Sequence, residues 1–340
     1  MRRSRWILVS VSAVLGAALA GVVSLLLLYP DDDGPGGSVP ITWRLGWSKT
    51  DFSRRSIDLD DIISGGPPKD GIPSIDDPRF TKVSAYPDLP ETEPVIGLVI
   101  GGEAKAYPIR DLMWHEIVND VVAGVPVTVT YCPLCNSAVV FDRRAAGQVL
   151  EFGTTGKLRH SDMVMYDRQT ESWWQQFLGE AIVGELLGTR LKKIPARMES
   201  FAEFKKRAPR GEVLIPNHPS SRRYGVNPYV GYDRAPEPFL FQGSLPDYIN
   251  PMVRVVVVGD KAWSLPYLVA AGPIRDGDLT LSWRAGQNSA LDTKRIRDGR
   301  DVGNVIARRG LGRSARDVVY DVTFAFVYNV FHPEKRIITE

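Results

Sequence analysis

The chain has 340 residues, and its 42 Lys and Arg against 40 Asp and Glu give a formal net charge of +2. Hydrophobic residues make up 44% and charged residues 24%, the balance of an ordinary globular protein. This composition excludes a disordered polyelectrolyte, a collagen-like chain and a multi-span membrane protein. The near-zero net charge also argues against nucleic acid as a partner, because phosphate binding needs a concentrated basic surface.

The N-terminal segment has the pattern of a membrane anchor. Arg2, Arg3 and Arg5 precede residues 7–28, an uncharged run that as a helix would be about 33 Å long, enough to cross a bilayer. Basic residues before the run and acidic residues after it place the body on the extracytoplasmic side of the cell membrane. A cleaved signal peptide is the alternative, since residues 18–20 fit the small-residue cleavage pattern. The sequence therefore predicts a single-pass membrane protein with the membrane as its partner.

Downstream of residue 95 the sequence predicts β-hairpins. Apolar extended runs alternate with tight-turn pairs such as Gly101-Gly102. A short helix is predicted over residues 109–115, and Ser200 with Glu203 fits a capping box for a helix over residues 200–208. The predicted hairpins pair residues 95–100 with 103–107, 117–122 with 125–131, and 139–142 with 148–152.

Two stretches resemble two later stretches in the same order. Residues 127–138 align without gaps with residues 279–290, and residues 99–108 resemble residues 257–266. This predicts an internal duplication, and hence an α+β, β-rich fold of two related hairpin-rich units behind one transmembrane helix. The predicted organisation is an anchor, a linker, a first unit and a degenerate second unit, over residues 1–30, 31–40, 41–235 and 236–340.

The motif Cys132-Pro-Leu-Cys135 is the sharpest chemical feature. Two cysteines at this spacing can form a redox disulfide, bind a metal ion or close a structural turn. The following residues, 136–142, have the pattern of a strand, which argues against a thioredoxin-like helix. A Cys-x-x-Cys turn between strands is typical of a metal knuckle, so zinc or copper is a candidate cofactor.

A metal at this motif needs further ligands, because the chain has no other cysteine. His115 is the preferred ligand, since it lies one hairpin before Cys132 and since the second unit lacks both the histidine and the cysteines. The other three histidines or a carboxylate are alternatives. Met113, Met163 and Met165 are soft donors that would suit cuprous ion.

A second polar cluster lies around residues 166–174. Asp162, Asp167 and Glu171, with a neighbouring tryptophan pair, are candidates for a carbohydrate or small-molecule cleft. Glycoside hydrolysis needs two carboxylates at a suitable separation. The alternative is structural: Asp167 and Arg168 as a salt bridge in a turn, with the tryptophans in the core.

Several long segments resemble one family, the bacterial and archaeal domain of unknown function 3179. The resemblance covers most of the body of the chain and implies no established activity. The segments that carry it include Trp114-His-Glu-Ile-Val-Asn-Asp120 and Tyr131-Cys-Pro-Leu-Cys-Asn-Ser-Ala138, together with residues 64–80, 165–174 and 224–233.

Three functional hypotheses follow. The first is a metal-binding or thiol-redox site, the second a non-catalytic binding or scaffold module with a structural Cys132–Cys135 turn, and the third a hydrolase using Asp162, Asp167 or Glu171. The sequence does not decide whether the chain is an enzyme. The first hypothesis assigns catalytic roles to His115, Cys132, Cys135, Asp167 and Arg168, metal binding to the first three of these, and cofactor contacts to Tyr131 and Trp173.

Overall fold

The computed structural model describes residues 38–86 and 88–340, which form mainly β-structure. The α-helices of this part are six or seven residues long. They are α1 (Ile41–Gly46), α2 (Ile109–His115), α3 (Phe201–Arg207), α4 (Leu265–Ala271) and α5 (Ala325–Phe331).

The strands are short, and most are rich in β-branched and aromatic residues. The first thirteen are β1 (Ile62–Ser64), β2 (Arg79–Lys82), β3 (Pro94–Ile100), β4 (Glu103–Pro108), β5 (Ile117–Val122), β6 (Val125–Cys132), β7 (Ser137–Asp142), β8 (Arg144–Ala145), β9 (Gln148–Val149), β10 (Phe152–Arg159), β11 (Asp162–Asp167), β12 (Trp173–Gln175) and β13 (Glu180–Val183). The remainder are β14 (Lys193–Ile194), β15 (Ala196–Ser200), β16 (Glu212–Ile215), β17 (Arg254–Val258), β18 (Lys261–Ser264), β19 (Ile274–Asp276), β20 (Leu279–Arg284), β21 (Asn304–Arg309), β22 (Arg316–Asp317) and β23 (Asp321–Phe324).

These strands form a five-bladed β-propeller. The blades have the strand orders β1-β10-β11-β12-β13, β14-β7-β6-β5, β15-β3-β4-β16-β2, β18-β17-β23 and β19-β20-β21-β22. A separate ribbon pairs β8 with β9. Strand pairing within the blades is antiparallel apart from β16 with β4, which is parallel.

The predicted fold class, two duplicated hairpin units behind a transmembrane helix, is wrong. The two pairs of similar stretches correspond to recurring blade parts: β3-β4-α2 matches β17-β18-α4, and β6 matches β20. The repeat therefore belongs to the blades and does not divide the chain into two units. One hydrophobic core also joins residues on both sides of position 235, including Val129 and Val256.

The membrane predictions are also not supported. The predicted anchor, residues 7–28, lies outside the described residues. Within residues 38–86 and 88–340, no helix has the length and apolar character needed to cross a bilayer. The membrane partner, the signal anchor and the single-pass extracytoplasmic location therefore have no support in the structure.

The first two predicted hairpins and both predicted helices are confirmed. Gly101 and Gly102 have φ of 57° and 88°, the left-handed values that a two-residue hairpin turn requires. The Ser200 hydroxyl accepts a hydrogen bond from the Glu203 N–H at 3.4 Å, as a capping residue does. The third predicted hairpin is wrong: residues 139–142 lie in β7, which pairs with β6 and β14, and only the short strands β8 and β9 pair around the turn.

Candidate metal centre

Cys132 ends β6, and Cys135 lies in the four-residue loop, residues 133–136, that joins β6 to β7. Cys132 pairs with Ser137 across the ladder, so Cys135 lies inside the turn. Asn136 adopts φ 51°, and its N–H donates to the Pro133 carbonyl at 3.1 Å, which closes the loop. Both cysteines are buried, and no disulfide joins them.

Strand β23 fixes this loop from a distant part of the sequence. The Asp321 carboxylate accepts hydrogen bonds from the Ser137 hydroxyl and from the Ala138 N–H, the latter at 3.1 Å. The Thr323 hydroxyl donates to the Cys135 carbonyl at 2.7 Å. Because these groups are buried, the loop is held rigidly.

Asp162 reaches the cysteines from another blade. It begins β11 directly after the two-residue turn His160-Ser161, where both residues have positive φ, 54° and 66°. One carboxylate oxygen, Oδ2, accepts hydrogen bonds from the Gln175 side chain at 2.6 Å and from the Phe177 N–H at 2.9 Å. These two donors fix the orientation of the carboxylate.

Cys132, Cys135 and Asp162 converge on one point. Their ligand atoms, two sulfurs and one oxygen, lie within 4.8 Å of one another, and all three residues are buried. The Cys132 thiol also donates a weak hydrogen bond to the Ser161 carbonyl at 3.6 Å. The second oxygen of Asp162, Oδ1, is buried and has no hydrogen-bond partner among the described residues.

Burial determines the protonation of this cluster. It raises the pKa of both thiols, and that of Cys135 well above its usual value. It also raises the pKa of Asp162 to about 6, against hydrogen bonds that favour the ionised form. The thiols are therefore protonated at neutral pH, which makes them poor nucleophiles.

A small cavity opens beside Cys132. Its volume is about 100 Å³, and its lining is mainly apolar. Glu116 borders this cavity, and no hydrogen bond to its carboxylate is found among the described residues. Burial and the neighbouring Asp162 raise the pKa of Glu116 to about 8. Glu116 also has φ 57°, a strained value for a side chain of this size.

Several of the segments that carry the family resemblance meet at this cavity. Its lining includes residues from 64–80, from 114–120, from 131–138 and from 224–233. Sequence segments far apart in the chain thus contribute to one pocket. We take this pocket and the adjoining Cys132, Cys135 and Asp162 as the candidate site.

His115, the sequence-predicted ligand, lies elsewhere. Its Nδ1 donates to the Pro73 carbonyl at 2.7 Å, so its Nε2 accepts from the Tyr224 hydroxyl at 2.8 Å. Its ring stacks on Tyr224. His115 is therefore not part of the cluster formed by Cys132, Cys135 and Asp162.

The other acidic candidates are engaged in structural contacts. The Asp167 carboxylate accepts hydrogen bonds from the N–H and hydroxyl of Thr170 and from the Trp174 indole, at 2.7 to 3.0 Å. Arg168 forms an ion pair with an aspartate at 2.7 Å. Glu171 pairs with a lysine at 2.7 Å. These contacts favour the structural interpretation of the cluster over a hydrolytic one.

The two aromatic candidates are core residues. Tyr131 and Trp173 are fully buried. Trp173 packs in an aromatic cluster with Trp43, Trp47 and Phe52, at ring distances of 5.1 to 5.2 Å. Neither side chain borders the cavity.

Sequence reasoning missed two roles. A carboxylate was left open as a metal ligand, but Asp162 itself was named only as a candidate for a hydrolytic cleft. Glu116 was passed over in favour of its neighbour, His115. Its signal was available in the sequence, as a carboxylate directly after the predicted helix over residues 109–115.

Comparison with known proteins identifies the family alone. The model of a family described as protein of unknown function (DUF3179) matches residues 69–335. No curated protein matches the chain. No solved structure matches it either.

Proposed function

The chain belongs to the DUF3179 family of proteins of unknown function, and we propose that it binds one zinc ion through Cys132, Cys135 and Asp162. The observation that carries the proposal is the convergence of two thiols and a carboxylate, within 4.8 Å of one another, in a buried position. Each of the three is supplied by a loop or strand end that other residues fix.

The donor set favours zinc over the other ions considered. Thiolates bind both zinc and cuprous ion, whereas a carboxylate suits a harder cation. Zinc accepts both donor types at about 2.0–2.3 Å in tetrahedral geometry. Three protein ligands leave a fourth position, which is the arrangement of catalytic rather than closed structural zinc sites.

Electrostatics supports the same conclusion. Two thiols and a carboxylate cannot all ionise in a buried site unless a cation is present, because uncompensated buried charge is costly. A divalent ion would offset the charges of Cys132, Cys135 and Asp162 and release their protons. The free Oδ1 of Asp162 is a ready ligand atom.

A thiol-redox role has weaker support. Redox cysteines need a stabilised thiolate, as at a helix N-terminus or beside a cation. Here burial and the nearby Asp162 raise the pKa of the Cys135 thiol, which disfavours the thiolate.

Cobalt titration of the reduced full chain tests the proposal, because cobalt replaces zinc and thiolate coordination gives charge-transfer absorption. We expect one cobalt per chain, displaced by zinc. Cys132→Ser and Cys135→Ser should each strongly reduce the absorption, because each removes one thiolate. Asp162→Asn, which removes a direct ligand, should weaken binding by at least the factor of about 10–100 that is typical of changes to outer-shell partners. The matched control is Asp60→Asn, since Asp60 is exposed. The proposal is contradicted if the site variants bind cobalt as the wild-type chain does. It is also contradicted if the correctly folded wild-type chain binds no cobalt.

A further inference from the structure

The cavity beside Cys132 has features of a ligand site in its own right. Its volume of about 100 Å³ is smaller than the roughly 150 Å³ cavity that holds benzene in an engineered protein. A molecule of about four or five non-hydrogen atoms therefore fits it. A molecule with two rings is too large for it.

The walls select against charge. Leu134, Leu158, Met163 and Leu240 are among the lining residues, and burying an unpaired charge among such groups is unfavourable. Lys157 also borders the cavity, but its ammonium lies over the Trp43 ring, 4.4 Å from the ring centroid. That ammonium is therefore held in the aromatic cluster.

Glu116 and Tyr229 supply polar groups to the same lining. Both lie close enough to Cys132 to interact with it electrostatically. The carboxylate of Glu116 has no hydrogen-bond donor among the described residues. A ligand that donates a hydrogen bond would supply the partner that this half-buried carboxylate lacks.

The roof of the cavity is held in place. The Phe239 carbonyl accepts a hydrogen bond from the Ser161 hydroxyl at 2.7 Å, and the Gln242 carbonyl accepts one from His160. Phe239 and Leu240 border the cavity. The pocket is therefore preformed, which lowers the entropic cost of binding.

We propose that this cavity binds a small, uncharged, largely apolar molecule with one hydrogen-bond donor, which Glu116 accepts. The inference rests on the proposed function in one respect: the ligand lies beside Cys132, one of the three proposed zinc ligands. The ligand class covers small alcohols, amides and azoles.

Ligand-observed NMR titrations of the full chain test this with isomeric probes, 2-methyl-1-propanol and isopropyl methyl ether. We expect the alcohol to bind about tenfold more tightly than the ether, the worth of one neutral hydrogen bond. Glu116→Met should abolish the preference, whereas Glu185→Met, a change at an exposed glutamate, should keep it. Leu158→Phe and Leu240→Trp, which fill the cavity, should each weaken alcohol binding.

Equal binding of the two isomers, no binding of either, or a preference that survives in Glu116→Met overturns the inference. Tighter binding of isobutylammonium or isobutyrate than of the alcohol also overturns it. Titrations with zinc and after chelation separate the two proposals. A chain that retains no zinc but prefers the alcohol through Glu116 disproves the zinc site alone, and a chain that retains zinc without the preference disproves the ligand alone.

Discussion

Asp321 binds the Ser137 hydroxyl across 184 positions of sequence. This contact joins β23 to the first residue of β7, directly after the loop that contains Cys135. Burial raises the pKa of Asp321 to about 6, so the hydrogen bonds to this carboxylate are made in a shielded environment. The geometry of the candidate metal centre therefore depends on a strand that the sequence gives no reason to place there.

Replacing Asp321 with Ala should destabilise the fold and weaken metal binding together. The variant leaves the buried Ser137 hydroxyl and the Ala138 N–H without their acceptor, which costs about 3 kcal/mol. Urea denaturation measures the loss. The matched control is Asp278→Ala, because Asp278 pairs with Arg309 at the exposed surface, and such pairs contribute at most about 1 kcal/mol. Equal losses in the two variants contradict the role assigned to Asp321.

Gly156→Ala should disrupt the wall of the cavity. A Cβ at this position would lie 1.9 Å from the Pro67 carbonyl oxygen, and the residue has φ 70°. Gly147 has a similar φ of 77° but nothing within 4 Å of a Cβ, so Gly147→Ala isolates the backbone cost of about 1 kcal/mol. We expect Gly156→Ala to lose about 2 kcal/mol more than this control by denaturant unfolding. Equal losses of stability in the two variants would contradict this prediction, because they would show that the backbone shifts to relieve the contact with Pro67.

Asp111 should make the stability of the chain depend on pH. Burial raises its pKa from the usual 3.8 to about 8, and neither carboxylate oxygen has a partner among the described residues. The folded chain thus binds this proton more tightly than the unfolded chain, so the stabilisation is complete below pH 3.8 and is lost as the pH rises through about 8.

The comparison variant is Asp111→Asn, which cannot ionise. Between these pH values the wild-type chain should lose stability relative to this variant, by on the order of 5 kcal/mol. Urea denaturation at a series of pH values measures the difference. Parallel pH profiles for the two chains are inconsistent with a buried, protonated Asp111.

His115→Phe should leave metal affinity within about twofold of wild type, because both ring nitrogens already have partners outside the cluster. Phenylalanine keeps the stacking on Tyr224 but loses the hydrogen bonds to Tyr224 and Pro73, which costs about 1 kcal/mol each. The cobalt titration measures the affinity, with the exposed His218→Phe as control. A loss comparable to that of Cys135→Ser would show that His115 binds the metal.

Local chemistry made parts of this structure predictable from sequence. The turn at Gly101-Gly102 and the cap at Ser200 depend on neighbouring residues alone, and both were predicted correctly. The cysteine loop between two strands was predicted for the same reason.

The assembly of the blades and the metal ligands was not predictable in this way. Strand β1 pairs with β10, almost a hundred residues later, and β23 pairs with β17. Asp162 and Cys132 lie in different blades and meet where these blades pack together, so no spacing in the sequence relates them. His115 and Glu116 show the opposite error: adjacent residues were treated as one neighbourhood, yet their side chains lie in different surroundings.

Native mass spectrometry of the full chain, purified without reductant, tests the central claim most directly. The account predicts one zinc per chain in the native spectrum, lost on denaturation, with Cys132 and Cys135 then recovered as two free thiols. A chain without metal, carrying a two-hydrogen deficit that persists on denaturation and disappears only with added reductant, would show a Cys132–Cys135 disulfide and contradict the account.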